Sequence, residues 1–139
     1  MDWTPLLDSF AGIGPFVVHV GIALGLIALY AAIYMAATAH DELALIRQNN
    51  GAAAVAFAGS LIGYTLPLAS AAQHSSTLLV FMAWGGVAIV VQVVVYWFFR
   101  LLMLPDVSKR IERGEVAAGI FLGAASLAGG LVDAAVMAV

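Results

Sequence analysis

Six residues interrupt long apolar runs with groups capable of chemistry: His19, Thr65, Pro67, Ser70, Gln92 and Asp133. An ionisable or amide group inside an apolar segment needs water, a partner or a role. Gln92 falls near the middle of "IVVQVVVYWFF", where an unpaired amide in hydrocarbon costs free energy, so it is expected to reach another helix or subunit, or to line a pore. Pro67, in "GYTLPLAS", has no backbone N–H and frees the carbonyl of Gly63 four residues earlier. In the simplest case that is a kink. In a transporter or channel, with Thr65 and Ser70 nearby, it is a break that offers carbonyls to a cation. His19, His40 and His74 are dispersed, and no His-x-x-x-His or Glu-x-x-His spacing sets two ligands on one helical face, so no metal site is expected. There is no Gly-x-Ser-x-Gly, no phosphate-binding Gly-x-x-x-x-Gly-Lys loop, no close pair of intramembrane carboxylates, and no cysteine to serve as nucleophile or thiolate ligand. An enzyme is therefore the least supported class, and no cofactor is expected.

The elements that must position these groups follow from composition. Of 139 residues, 64% are hydrophobic and only 9% charged, against roughly a quarter charged in soluble domains. This is the composition of an all-α membrane protein, a single membrane domain over residues 1–139. A formal charge of −3 gives no reason to expect a nucleic-acid partner. A spanning helix needs about 20 apolar residues, and four stretches qualify, near residues 15–39, 51–72, 77–104 and 115–138. The small residues of "AATA" ending at Ala39 resemble a leader cleavage site, but no Lys or Arg precedes the first span and its apolar run is too long, so cleavage is not expected. Arg47, Arg100, Lys109, Arg110 and Arg113 all fall at the first and third loops. By the positive-inside rule both termini then lie outside the cytoplasm, an N-out/C-out arrangement in the inner membrane.

A shift of 65 residues pairs Phe16 with Phe81, Gly21 with Gly86, Asp41 with Asp106, Ile46 with Ile111 and Leu66 with Leu131. Halves 14–74 and 79–139 thus read as two tandem parallel two-helix repeats, related by an axis along the membrane normal. Small residues four apart, at Gly21/Gly25, Gly59/Gly63 and Gly119/Gly123, let helices approach closely where lipid removes the usual hydrophobic drive. Spans two and four are expected at the packed centre, with span three the most exposed to lipid. Asn49, Asn50 and Glu115 stand where helices two and four begin and are expected to cap them. "YWFFR", Tyr96 to Arg100, reads as an interfacial aromatic belt with a snorkelling Arg. Asp133 lies 18 residues beyond Glu115, about 27 Å along a helix and near the outer edge of a core of roughly 30 Å. There it is expected to be a solvated interfacial carboxylate or part of an outer ring in an oligomer, with Ser70, His74 and His19 at the same end.

The runs "NNGAAAVAFAGSLIGYTLPLASA", "WGGVAIVVQ" and "RLLMLPDVSKRIERGEVAAGIFLGAASLAGGLVDAA" resemble the YjfL-like family of small bacterial inner-membrane proteins, domain of unknown function 350. The resemblance covers about residues 46–135 and is most specific from Leu101 to Ala118. It implies a duplicated pair of membrane helices and no assigned reaction; its pattern often has Asn where this chain has Asp133. The reading is a homo-oligomeric bilayer protein serving as a small pore or transport-related module. The alternative is a structural or envelope-stress adaptor whose basic loop, residues 106–115 with Lys109, Arg110 and Arg113, recruits a cytoplasmic protein or anionic lipid.

Overall fold

In hydrocarbon every backbone N–H and C=O must find its partner within the chain, so the long apolar runs close as helices. The computed structural model describes residues 1–138. A short α1 (Thr4–Phe10) leads into α2 (Ile13–Ala37), followed by α3 (Glu42–Arg47), α4 (Gly51–His74), α5 (Leu78–Leu102), α6 (Val107–Glu112) and α7 (Val116–Met137). No strand occurs among the described residues. Four segments are long and apolar enough to cross a membrane: Thr4–Ala37, Gly51–His74, Leu78–Leu102 and Val116–Met137. The first reaches further toward the N-terminus than its apolar core alone suggests. The polar loops are not open coil either, since α3 and α6 each add one or two turns outside the spans.

α4 and α7 form the centre of the bundle, as their small residues require. A Cβ placed at Gly59 would lie 2.5 Å from the Cα of Gly123, and one at Gly123 would lie 2.9 Å from the carbonyl oxygen of Val55. At Gly63, Gly119 and Gly130 a Cβ would run into the backbones of Ser126, Ala52 and Gly63 respectively. No side chain can occupy this seam, so van der Waals contact between two backbones supplies the association. Gly21 and Gly25 behave differently, for a Cβ at either meets nothing within 4 Å.

That difference reverses one expectation. The first span, not the third, is the most exposed, because only Tyr30 and Tyr34 of α2 are buried. α5 instead buries Phe81, Gly85, Ala88, Ile89, Gln92 and Tyr96 along one face.

The ends of the short helices explain how the chain enters α4 and α7. Asn49 adopts a left-handed φ of 63° and Gly114 one of 76°. Each lets the following N–H reach back to the helix just ended, Asn50 to the Leu45 carbonyl at 2.9 Å and Glu115 to the Arg110 carbonyl at 3.0 Å. Asn50 then caps α4, its Oδ1 accepting from the Ala53 N–H at 3.0 Å, and its Nδ2 donates to the Ile111 carbonyl at 2.8 Å. Asn49 and Glu115 do not cap. Asn49 closes α3 instead, and the Glu115 carboxylate turns away from α7 to meet Arg113 Nη2 at 2.8 Å. That guanidinium, with Arg110 behind it, holds Glu115 below the usual carboxylate range.

Candidate functional site

Tyr30 and Tyr34 stand four residues apart on one face of α2, and the extended link after Ala37 brings Thr38 and Glu42 together at the end of that helix. Above them the core of the bundle is polar and aromatic. Tyr30 stacks on Tyr64 of α4 with ring centroids 4.5 Å apart, and its hydroxyl meets that of Ser60. Tyr34 lies edge-on to Tyr96 of α5 at 5.6 Å and tilted against Phe57 at 5.8 Å. The Tyr64 hydroxyl donates to the Gly85 carbonyl at 3.1 Å. All four tyrosines are almost fully buried. They line a column between α2, α4 and α5 that begins at the end carrying the loops α3 and α6.

At that end the column closes in a knot of ionisable groups. Thr38 Oγ1 donates to Glu42 Oε1, and His40 Nε2 stands 3.2 Å from the same oxygen. His40 Nδ1 faces Ser108 Oγ of α6 at 3.0 Å, bridging positions 68 residues apart. Arg100 Nη1 donates to the Tyr96 hydroxyl at 3.1 Å while its guanidinium lies 4.9 Å from the Trp97 ring. Tyr96 therefore belongs to the core rather than to a surface belt. Glu42 is 1% exposed and His40 5%, a degree of burial that carboxylates and imidazoles rarely show without a partner or role. Burial pushes the Glu42 carboxyl up and the His40 imidazole down, so both favour their neutral forms. The His40–Glu42 approach is close but off the hydrogen-bonding line, leaving Nε2 without an aligned acceptor. Glu42 Oε2 and the Tyr34 hydroxyl are buried with no hydrogen-bond partner.

Gln92 sits deeper, 2% exposed, and its Nε2 donates to the Ser126 carbonyl of α7 at 3.2 Å. Its Oε1 is buried without a partner. The amide thus ties two helices together with one acceptor to spare, in a segment where hydrocarbon surrounds the bundle.

The remaining sequence candidates are dispersed. Pro67 is buried, and the Gly63 carbonyl it frees is covered by the backbone of Gly130. Thr65 donates to the Ile62 carbonyl at 2.7 Å on the exposed side of α4. Ser70 Oγ donates to the Ala134 carbonyl at 2.9 Å, joining α4 to α7, and contacts His74 Nδ1 at 3.5 Å. His19 is exposed, with Nδ1 2.8 Å from the Pro15 carbonyl and its ring against Phe81. Asp133 is half-buried beside an apolar groove of α5 and α7 near Val95 and Gly129, and makes no hydrogen bond to Ser70, His74 or His19 among the described residues. Of the basic residues, Arg113 and Arg110 approach Glu115 at 2.8 and 3.5 Å, while Lys109 lines a recess with Arg100 and Glu112. No group of three or more His, Cys, Asp or Glu capable of holding a metal occurs among the described residues.

The tyrosine column and the His40–Glu42 knot escape a reading of the sequence for motifs. Glu42 looks like a residue of a wet loop, and each tyrosine alone looks like an interfacial anchor. The four-residue spacing of Tyr30 and Tyr34 within α2 is the one signal that could have pointed to the column; no local signal points to Glu42.

Comparison with known proteins gives a family and relatives from the inner membrane. A family model described as Domain of Unknown Function (DUF350) matches residues 7–137. The chain is 42% identical over 132 residues to the UPF0719 inner membrane protein YjfL of Escherichia coli (strain K12), covering 95% of this chain and 97% of that protein. The protein of the same name in Escherichia coli O157:H7 matches with the same identity and coverage. No solved structure matches the chain.

Proposed function

The chain belongs to the DUF350 family, and from that premise we propose that it is a multi-pass inner-membrane protein acting as a homo-oligomeric pore or transport-related module rather than an enzyme. Its relative's name supplies the inner membrane and no activity. The observation that carries the transport reading is Gln92: a buried amide in the middle of a span with an unpartnered oxygen, next in the bundle to a column of buried tyrosines. A buried amide commonly ties membrane helices together, as Gln92 does through Ser126; its remaining oxygen is what supports the pathway reading.

The bundle is built from two tandem copies of one unit. Supporting this, α2 and α5 begin at Ile13 and Leu78, α3 and α6 at Glu42 and Val107, and α4 and α7 at Gly51 and Val116, each pair 65 residues apart. Asn49 and Gly114, with the same spacing, share the left-handed turn. The basic residues gather at the end bearing α3 and α6, which supports a cytoplasmic position for that end and N-out/C-out termini. The unfilled surface at Gly21 and Gly25 supports a second copy as the neighbour of α2. The adaptor reading draws less support, since Arg110 and Arg113 turn toward Glu115 in the same chain.

The natural chain lacks cysteine, so topology can be read from single introduced thiols. Trp3→Cys is expected to react with a membrane-impermeant reagent from the periplasmic side, and Lys109→Cys only after permeabilisation; the opposite pattern overturns the orientation. Native mass in mild detergent should show an oligomer, and a strictly monomeric species under several mild conditions sinks that part. For transport, purified protein in liposomes should pass at least one member of a broad panel of ions and small solutes. Permeability equal to that of protein-free vesicles throughout removes the pore.

A further inference from the structure

Glu42 and His40 differ from an ordinary structural ion pair in three ways. The carboxylate keeps one oxygen, Oε2, with no donor at all. The imidazole approaches the other oxygen at 3.2 Å without alignment. The pair also borders a recess of about 460 Å³, lined by Thr38, His40, Asp41 and Glu42 at the loop end of the bundle. A pair kept only for stability would be expected to satisfy its buried polar atoms, since a buried donor or acceptor left without a partner is destabilising whether or not it is charged.

From this geometry we propose that His40 and Glu42 form a proton-loading site that exchanges one proton with water at the cytoplasmic end of the tyrosine column. The proposal deepens the transport reading by naming the proton as the species handled there, and it rests on that reading for any onward delivery. Uptake forms one O–H bond on a Glu42 carboxylate oxygen, the proton coming from hydronium or a buffer acid in the recess; release returns it to water, and no other bond changes. His40 is held in place through Ser108 with Nε2 3.2 Å from Glu42 Oε1, close enough for a charge on the imidazole to bear on the carboxyl.

The surrounding charges are mixed, which lets the site change state instead of fixing it. From α2 the site is faced by Tyr34 and Thr38, and Asp41 precedes it in the chain. From α5 come Tyr96 and Arg100, and from α6 come Ser108 and Glu112. Glu112 favours a charged imidazole while Arg100 opposes it, and Asp41 discourages ionisation of Glu42. The Tyr34 hydroxyl, one helical turn deeper than Thr38 and without a partner, is the next polar group inward.

The direct test is infrared spectroscopy of the full chain in nanodiscs across a pH titration, comparing the natural chain with Glu42→Gln and His40→Gln. A protonated-carboxyl band is expected to persist above the ordinary glutamate value of 4.5, to vanish in Glu42→Gln, and to change its midpoint in His40→Gln. If the carboxyl titrations of the natural chain and Glu42→Gln coincide, or the lost band titrates as an ordinary glutamate, the proposal is overturned. Proton flux in liposomes separates the two readings. The Glu42 band without any flux leaves the loading site standing and removes transport; flux without the band, and with an unchanged pH profile in Glu42→Gln, does the reverse.

Discussion

Gly63→Leu is expected to cost the bundle about 3 kcal/mol or more, the upper end of what overpacking does, and to leave little folded protein. A Cβ at this position already collides with the Ser126 backbone and would sit 2.7 Å from Gln92 Nε2. Neither the α7 backbone nor the amide that it holds can withdraw without opening the whole α4–α7 seam. Gly21→Leu is the matched control, since nothing lies within 4 Å of its Cβ. In a single chain its effect should stay within about 0.5 kcal/mol, although oligomer mass is expected to fall if a second copy covers that face. Unfolding by titrated denaturing detergent measures both. Equal midpoints for the two variants would mean that the seam is not the centre of the fold.

Tyr30→Ala is expected to cost about 3 kcal/mol, and its consequence is local: α2 loses its hold. Only Tyr30 and Tyr34 of α2 are buried, and Tyr30 contributes both the 4.5 Å stack on Tyr64 and the hydroxyl contact with Ser60. Spin labels at the exposed sites Leu29→Cys and Ile62→Cys report the α2–α4 separation. Their distance distribution should broaden in Tyr30→Ala while a label pair on α4 and α7 stays sharp. An unchanged α2–α4 distribution would show that lipid or another subunit, not the tyrosine, holds the helix.

The α4–α7 seam was legible because Gly59/Gly63 and Gly119/Gly123 recur in two spans that are otherwise rich in Ala and Gly, and small residues four apart let helix backbones approach closely. Gln92 was legible for the same reason, as an amide amid valines. Gly21 and Gly25 show the same spacing and have no contact within the chain, so spacing alone does not say whether a neighbour is present. Asn50 announced a cap; Glu115, at the matching position, found two arginines nearby and went to them. The His40–Glu42 knot was not legible, because its burial depends on α6 arriving from 68 residues away to set Ser108 against the imidazole. Nothing in "HDELALIRQNN" distinguishes a wet loop from a buried one. Which neighbours Asp133 meets is decided by the rotation of α7 against α5, a packing outcome that helix length does not give.

Whether the polar interior serves passage across the membrane is tested most directly at Gln92. Gln92→Leu keeps nearly the same volume and removes both the bond to Ser126 and the unpartnered oxygen. In liposomes carrying equal amounts of folded protein, the natural chain is expected to conduct above protein-free vesicles, with Gln92→Leu reduced by about tenfold, the equivalent of about 1.4 kcal/mol in a barrier. Conduction by the natural chain that Gln92→Leu leaves unchanged, or no conduction by either, would contradict that role.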